Sequence, residues 1–81
     1  MSWRLKIFKK DDFTCQLCYK LGCYLEAHHI KKWEEYPDLR YEISNGITLC
    51  KNCHNNTKGK EKLFEIFLHE VNIEILNRNN N

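Results

Sequence analysis

Two Cys-x-x-Cys segments decide the fold of this chain, CQLC at residues 15–18 and CKNC at residues 50–53. Each such turn brings two sulfur atoms close enough to bind one Zn²⁺, and two turns complete the four-thiolate shell of a structural site. The intervening residues 19–49 exceed the roughly 15–20 residues that plain zinc ribbons hold there. We therefore predict that zinc is bound by Cys15, Cys18, Cys50 and Cys53, and that a site lies on the insert. A zinc clip closing a long loop is the simpler alternative.

A chain of 81 residues forms one domain and buries only about 60–65% of its unfolded surface, so its core is marginal. Structural zinc would supply stability, because its binding energy appears as folding energy. The odd number of cysteines and the charged residues 1–10 argue against a secreted disulfide framework and predict a reducing, cytoplasmic compartment. Cys23 is then a half-buried small hydrophobe or a spare ligand. No apolar run is long enough for a membrane partner to be expected.

The positions of the charged residues say more about possible nucleic-acid binding than the net charge does. The formal charge is +2, and four thiolates with one Zn²⁺ would bring it to zero. The cations cluster before the first cysteine pair, in the middle of the insert and after the second pair: Arg4, Lys6, Lys9, Lys10, Lys31, Lys32, Lys51, Lys58, Lys60 and Lys62. Such patches neutralise phosphates locally. A solvated lysine face is the alternative.

The first half of the chain is predicted to contain one helix and two strands. Ser2 is placed to cap a helix over residues 3–10, with Trp3 and Ile7 on its inner side. Strands are expected over residues 13–18 and 24–30, and the second of them ends in the doublet His28-His29. A loop over residues 31–44 follows, with the aromatic residues Trp33, Tyr36 and Tyr41.

The second half is predicted to contain one strand and two helices. Asn45-Gly46 is typical of a two-residue turn before a strand over residues 47–49. Helices are expected over residues 51–58, with Gly59 as the stop, and over residues 60–71. The longer helix carries an apolar stripe that we assign to the core: Leu63, Phe64, Ile66, Phe67 and Val71. Residues 1–78 then form a single domain, and residues 79–81 form a polar, disordered tail.

The order of these motifs resembles the HNH endonuclease family, which is built on a ββα-metal unit. That family places histidine on the first strand, asparagine in the connection, and a third histidine or asparagine on the helix. The matching segments cover about residues 3–62 and are WR at 3–4, LEAHHI at 25–30, NGITLC at 45–50, CKNCH at 50–54 and GKE at 59–61. The resemblance implies an α+β fold with a ββα-metal core, a four-cysteine zinc site and flanking helices.

The resemblance and strand geometry together suggest roles for the site residues. Adjacent strand residues point to opposite sides, so His28 and His29 are expected to do different work. By similarity to the family, His28 and His54 would bind a catalytic divalent ion, Mg²⁺, Mn²⁺ or another, and His29 would be the general base. Asn45 would hold the loop that orients the base. The alternatives are packed or solvated imidazoles, and a simple turn residue at Asn45.

Position 58 departs from some family members, which place a further histidine one helical turn after the position of His54. A protonated lysine cannot ligate a metal, so only His28 and His54 would hold the ion, with water and phosphate oxygens completing its shell. Lys58 is then a phosphate contact or a solvated cation.

The predicted function is hydrolysis of nucleic-acid phosphodiesters, with DNA as the expected substrate. The resemblance implies 5′-phosphate and 3′-hydroxyl products, and a nuclease module whose specificity is low or supplied by a targeting protein. Two alternatives stay open: a non-catalytic zinc module that binds nucleic acid or protein, and an interaction domain that uses an exposed stripe over residues 63–71. The pattern specifies neither an oligomeric state nor a sequence preference.

Overall fold

The structure, a computed structural model, describes residues 1–79, in which three α-helices surround a two-stranded antiparallel sheet. In chain order the elements are α1 (Trp3–Lys10), β1 (Leu25–His29), β2 (Gly46–Cys50), α2 (Lys51–Asn56) and α3 (Glu61–Asn79). Two short 3₁₀ helices, Pro37–Leu39 and Ile43–Asn45, lie in the connection between the strands. The predicted α+β fold, a β-hairpin followed by helices, is confirmed. No helix described here combines the length and apolar character required to cross a bilayer.

Strands β1 and β2 and helix α2 form one continuous ββα unit. In the sheet, Leu25 pairs with Cys50 and His29 pairs with Gly46. Helix α2 begins directly after β2, and Cys50 caps it, because its sulfur accepts a hydrogen bond from the backbone N–H of Cys53 at 3.4 Å. With no loop between β2 and α2, the pairing of the strands also fixes the start of the helix against β1.

Helix α1 packs on this unit through a close approach to Gly46. Ser2 caps the helix as predicted, accepting a hydrogen bond from the backbone N–H of Leu5 at 3.2 Å. A Cβ atom on Gly46 would lie only 2.5 Å from Cζ2 of Trp3 and 2.6 Å from Cγ1 of Ile7. Gly46 is extended, with φ −125°, so the predicted two-residue Asn45-Gly46 turn is wrong. The glycine is required by packing rather than by a turn.

The strand predicted over residues 13–18 is also wrong. This segment is a tight turn with a single β-bridge between Thr14 and Leu21. The N–H of Tyr19 donates to the carbonyl of Cys15 at 2.8 Å, and Tyr19 itself has a left-handed φ of 63°. An extended strand cannot fold back within four residues, whereas two cysteines three positions apart can face one metal only if the chain does so.

Helix α2 is shorter than predicted and α3 is longer. Helix α2 ends at Asn56 rather than at residue 58. Thr57 follows its last residue, and the Thr57 hydroxyl donates a hydrogen bond to the carbonyl of His54 at 2.7 Å. Gly59 adopts a left-handed φ of 81° and separates the two helices. Helix α3 continues past residue 71 to Asn79, which had been placed in the tail. The other two tail positions, 80 and 81, lie outside the described residues.

The apolar stripe predicted for α3 divides between two faces of the helix. Phe64 and Val71 pack against the core, together with the fully buried Leu68. Leu63 and Ile66 are instead 73% and 66% exposed, and Phe67 is half exposed, so the core assignment is wrong for these three. A helix that lies on the surface buries only one face, and apolar composition alone does not identify which.

A buried polar network ties the helices to the sheet. The Asp11 carboxylate accepts a hydrogen bond from the backbone N–H of Thr48 at 2.7 Å and pairs with the Lys10 ammonium at 2.8 Å. Lys10 also contacts Asn72 of α3, whose amide donates to the carbonyl of Ser44 at 2.9 Å. Burial lowers the pKa of Lys10, while the Asp11 hydrogen bond opposes that shift. The network fixes α1 and α3 relative to β2.

Candidate active site

The four predicted zinc ligands come together in one cluster. The sulfur atoms of Cys15, Cys18, Cys50 and Cys53 all lie within 4.8 Å of one another, and those of Cys18 and Cys50 are 3.7 Å apart. Sulfurs bound tetrahedrally to zinc at about 2.3 Å would be about 3.8 Å apart. The N–H of Cys18 points at the Cys15 sulfur at 3.5 Å, as that of Cys53 does at Cys50. The cluster therefore fits a structural zinc ion.

The clustered thiols differ in the direction in which their pKa values are shifted. Burial opposes ionisation of Cys15, but hydrogen bonds from the backbone around Cys18, Cys50 and Leu17 outweigh it and lower the pKa of the Cys15 thiol to about 6. Burial and the neighbouring thiols raise the pKa of Cys53. Four adjacent thiolates repel one another, so a divalent cation is what would allow all four to ionise. Cys23 lies outside the cluster, where its sulfur contacts the carbonyl of Lys20 at 3.9 Å.

A second centre forms where β1 faces α2. The rings of His28 and His54 meet edge to face, with centroids 5.1 Å apart. Burial, together with the charges of His54 and His29, lowers the pKa of His28 to about 4. His28 is therefore neutral at pH 7 and keeps a ring-nitrogen lone pair that can bind a cation. Two imidazoles on facing elements are a suitable, though incomplete, donor set for a divalent ion.

Glu26 belongs to this centre and was missed by the sequence analysis. Its carboxylate contacts Nδ1 of His54. That carboxylate oxygen is buried and makes no hydrogen bond within the described residues, so Glu26 and His54 form a close carboxylate–imidazole pair at this centre. The signal that could have identified Glu26 is strand alternation, because residues two apart on a strand share a face and Glu26 lies two before His28.

His29 lies on the other side of β1 from His28 and has different neighbours. Its ring stacks on Trp3, with centroids 4.2 Å apart and planes at 16°, and meets the edge of Trp33 at 5.4 Å. Its Nε2 lies 3.0 Å from the carbonyl oxygen of Arg40. A carbonyl can only accept a hydrogen bond, so Nε2 carries the proton and Nδ1 keeps the lone pair. In the neutral form of this ring, Nδ1 is therefore the nitrogen that can accept a proton.

Asn45 is buried and joins the end of β1 to the connection between the strands. Its Oδ1 accepts from the backbone N–H of Lys31 at 2.8 Å, and its Nδ2 donates to the carbonyls of Lys31 and Leu39, each at 3.2 Å. Leu39 precedes Arg40, whose carbonyl oxygen accepts the hydrogen bond from Nε2 of His29. These bonds support the expectation that Asn45 holds the loop that orients the base.

Lys58 is exposed and lies two residues beyond the end of α2. The α-helix expected to carry Lys58 one turn after His54 therefore ends before it. Nearby, Lys32 and Lys60 line an open cleft of about 360 Å³. Glu61 lines the same cleft and lies close enough to His28 for its charge to act on the imidazole. The cleft places cations beside the second centre.

Comparison with known families agrees with this geometry. The family model described as HNH endonuclease matches residues 15–60, which is more than half of the chain and contains both cysteine pairs, His28, His29, Asn45 and His54. Neither the curated proteins nor the solved structures give a significant match. The match and the ββα unit lead to one conclusion: the chain belongs to the HNH endonuclease family.

Proposed function

We propose that this chain is a metal-dependent endonuclease that hydrolyses phosphodiester bonds of DNA. Membership of the HNH family implies a nuclease. The assignment of a general base and of metal ligands rests on one observation, which is that the histidines at the end of β1 present their rings on opposite sides of the strand. His29 keeps a free Nδ1 on one side, while His28 and His54 face each other on the other side. One group can therefore take a proton while the others hold a cation.

His29 is the general base in this proposal. Its Nδ1 removes a proton from a water molecule as the oxygen attacks the scissile phosphorus, and the bond to the 3′ oxygen breaks. The carbonyl of Arg40 holds the Nε2–H and stabilises the imidazolium that forms. Trp3 stacks on the ring and prevents it from rotating, and Asn45 keeps the loop that carries Arg40 in place.

His28 and His54 would hold the divalent ion, and Glu26 would orient His54 through its Nδ1. When bound, such an ion stabilises the negative charge that develops on the phosphorane and on the departing 3′ oxygen. The low pKa of His28 keeps it neutral, as a metal ligand must be. The lysines of the nearby cleft, together with the exposed Lys58, would contact flanking phosphates. These contacts carry no sequence information, so specificity would be low or supplied by a targeting partner.

Plasmid nicking by the zinc-loaded protein tests the proposal. The parent should nick supercoiled DNA only when Mg²⁺, Mn²⁺ or another divalent ion is added. His29→Ala should reduce the rate by about 10²–10⁴-fold, the usual contribution of a positioned general base. Zinc content and circular dichroism should be unchanged, and His69→Ala, an exposed histidine of α3, is the matched control.

Two outcomes would contradict the proposal. Cleavage by His29→Ala at the parental rate would remove the base from the mechanism. A parent that binds DNA but does not cut it in any of these ions would instead indicate a non-catalytic zinc module.

A further inference from the structure

Helix α3 exposes an apolar face that nothing in the described residues covers. Four side chains make up what we call the α3 stripe: Leu63 is 73% exposed, Ile66 66%, Phe67 50% and Ile73 45%. They lie on one side of the helix, and the opposite side carries the buried residues Leu68, Asn72 and Ile75. The helix is therefore apolar on both sides. Clustered apolar side chains on a surface mark an interaction site more often than scattered ones do.

The charges on the same face identify the partner. Lys62 lies at the N-terminal end of the stripe, while Glu70 and Glu74 lie toward its C-terminal end, and all three are exposed. The two carboxylates make this face unsuitable for a nucleic-acid backbone, which is itself negative. Between residues 62 and 74 this face is positive at its beginning and negative at its end, so it is complementary to a reversed copy of itself. Glu61 and Arg78, at the two ends of the helix, lie outside this stretch. A parallel copy would place like charges together.

We propose that the α3 stripe is a homodimer interface in which two copies of α3 pack antiparallel. In a two-fold symmetric pair, a contact between residues i and j occurs twice. An axis at the level of residue 68 places Leu63 opposite Ile73 of the partner subunit and Lys62 opposite Glu74 of the partner subunit. The same axis lies beside Phe67, so the two Phe67 side chains can pack against each other, while Ile66 lies opposite Glu70 of the partner subunit. Each end of the interface gains an ion pair. The dimer carries two His28, His29 and His54 centres.

Sedimentation equilibrium of the zinc-loaded protein over a wide concentration range tests the interface without relying on nuclease activity. The parent should dimerise reversibly. Phe67→Glu should raise the dissociation constant by at least about 100-fold, because it places a charge at the centre of an apolar contact. Leu21→Glu is the matched control, since Leu21 is 74% exposed but lies outside α3, and it should dimerise as the parent does. Zinc content confirms that each variant is folded.

A charge swap tests the antiparallel arrangement separately. Lys62→Glu should weaken the dimer by about 10-fold, because each of two ion pairs becomes a repulsion. Adding Glu74→Lys should restore the parental dissociation constant. A parent that stays monomeric at the highest concentration, or a dimer unaffected by Phe67→Glu, would overturn the proposal. Failure of the double variant to recover would overturn the antiparallel pairing.

Discussion

His28 and His29 are adjacent in sequence, yet their rings have different neighbours. Nε2 of His29 contacts the carbonyl of Arg40, whereas the ring of His28 faces His54, which contacts the carboxylate of Glu26. The alternation of side chains along a strand produces this separation, since it sends neighbouring residues to opposite faces. The residue that completes the proposed metal centre is Glu26, because a metal-binding histidine needs an acceptor for its other nitrogen.

Glu26→Gln tests this role with little change in shape. The amide replaces a charged acceptor with a neutral one, so Nδ1 of His54 is no longer held as firmly and its Nε2 becomes a weaker ligand. We expect affinity for Mn²⁺, measured by calorimetry on the zinc-loaded protein, to fall by about 10–100-fold. Glu34→Gln, in the exposed loop, should bind Mn²⁺ as the parent does. Equal affinity in parent and Glu26→Gln would show that Glu26 does not act on the metal centre.

At the scale of elements, the position of α1 determines how the base is held. Helix α1 contributes Trp3, whose ring stacks on His29 and whose indole N–H donates to the carbonyl of Glu42 at 2.9 Å. The helix approaches β2 this closely only because Gly46 has no side chain. A glycine that appears from sequence to form a turn is therefore part of the support of the proposed catalytic histidine.

Gly46→Ala should damage both stability and activity. The added methyl group overlaps Trp3 and Ile7, and overpacking of this kind costs about 1–3 kcal/mol in the free energy of unfolding, measured by urea denaturation. Trp3 would also shift away from His29, so cleavage by the folded variant should fall. Gly22→Ala is the control, because its Cβ meets no atom within 4 Å but must adopt φ 76°. It should lose stability through backbone strain alone, and equal cleavage by the two variants would contradict the proposed role of Trp3.

On the scale of the whole molecule, the four-cysteine cluster joins the turn over residues 15–18 to the junction of β2 and α2. The first pair lies in a turn without regular structure, and the second pair spans the junction of β2 and α2. The buried apolar core is small and includes two of the ligands themselves, Cys15 and Cys50. Metal binding is therefore expected to provide much of the folding energy.

Cys50→Ser isolates this contribution because serine is itself a good helix cap. The variant keeps a cap for α2 but removes one thiolate, so we expect it to lose zinc and cooperative unfolding together. Metal analysis after extensive dialysis and thermal unfolding followed by circular dichroism would measure both. Cys23→Ser, outside the cluster, should keep about one zinc ion per chain. A zinc-free Cys50→Ser protein that unfolds cooperatively would show that the core is sufficient without metal.

Much of this protein was determined by its sequence alone. The cysteine spacing predicted the four-sulfur cluster, and the order of strand, asparagine, strand and histidine predicted the α+β fold and the HNH family. Strand periodicity also separated His28 from His29. These features follow from local geometry, since a Cys-x-x-Cys turn, a helix cap and a strand each involve residues a few positions apart. The catalytic roles of the histidines and Asn45 stay predictions.

Other features were decided only by tertiary structure. The packing of α1 made Gly46 a contact residue instead of a turn residue. The turn that brings the Cys15 and Cys18 sulfurs into one cluster replaces the strand predicted over residues 13–18. Packing against the rest of the protein determines which face of α3 is buried, and Leu63, Ile66 and Phe67 lie on the exposed face. The partner of Glu26 was likewise set by where α2 begins. Each outcome depends on contacts between residues distant in the chain, and local propensity carries no information about which distant residues will meet.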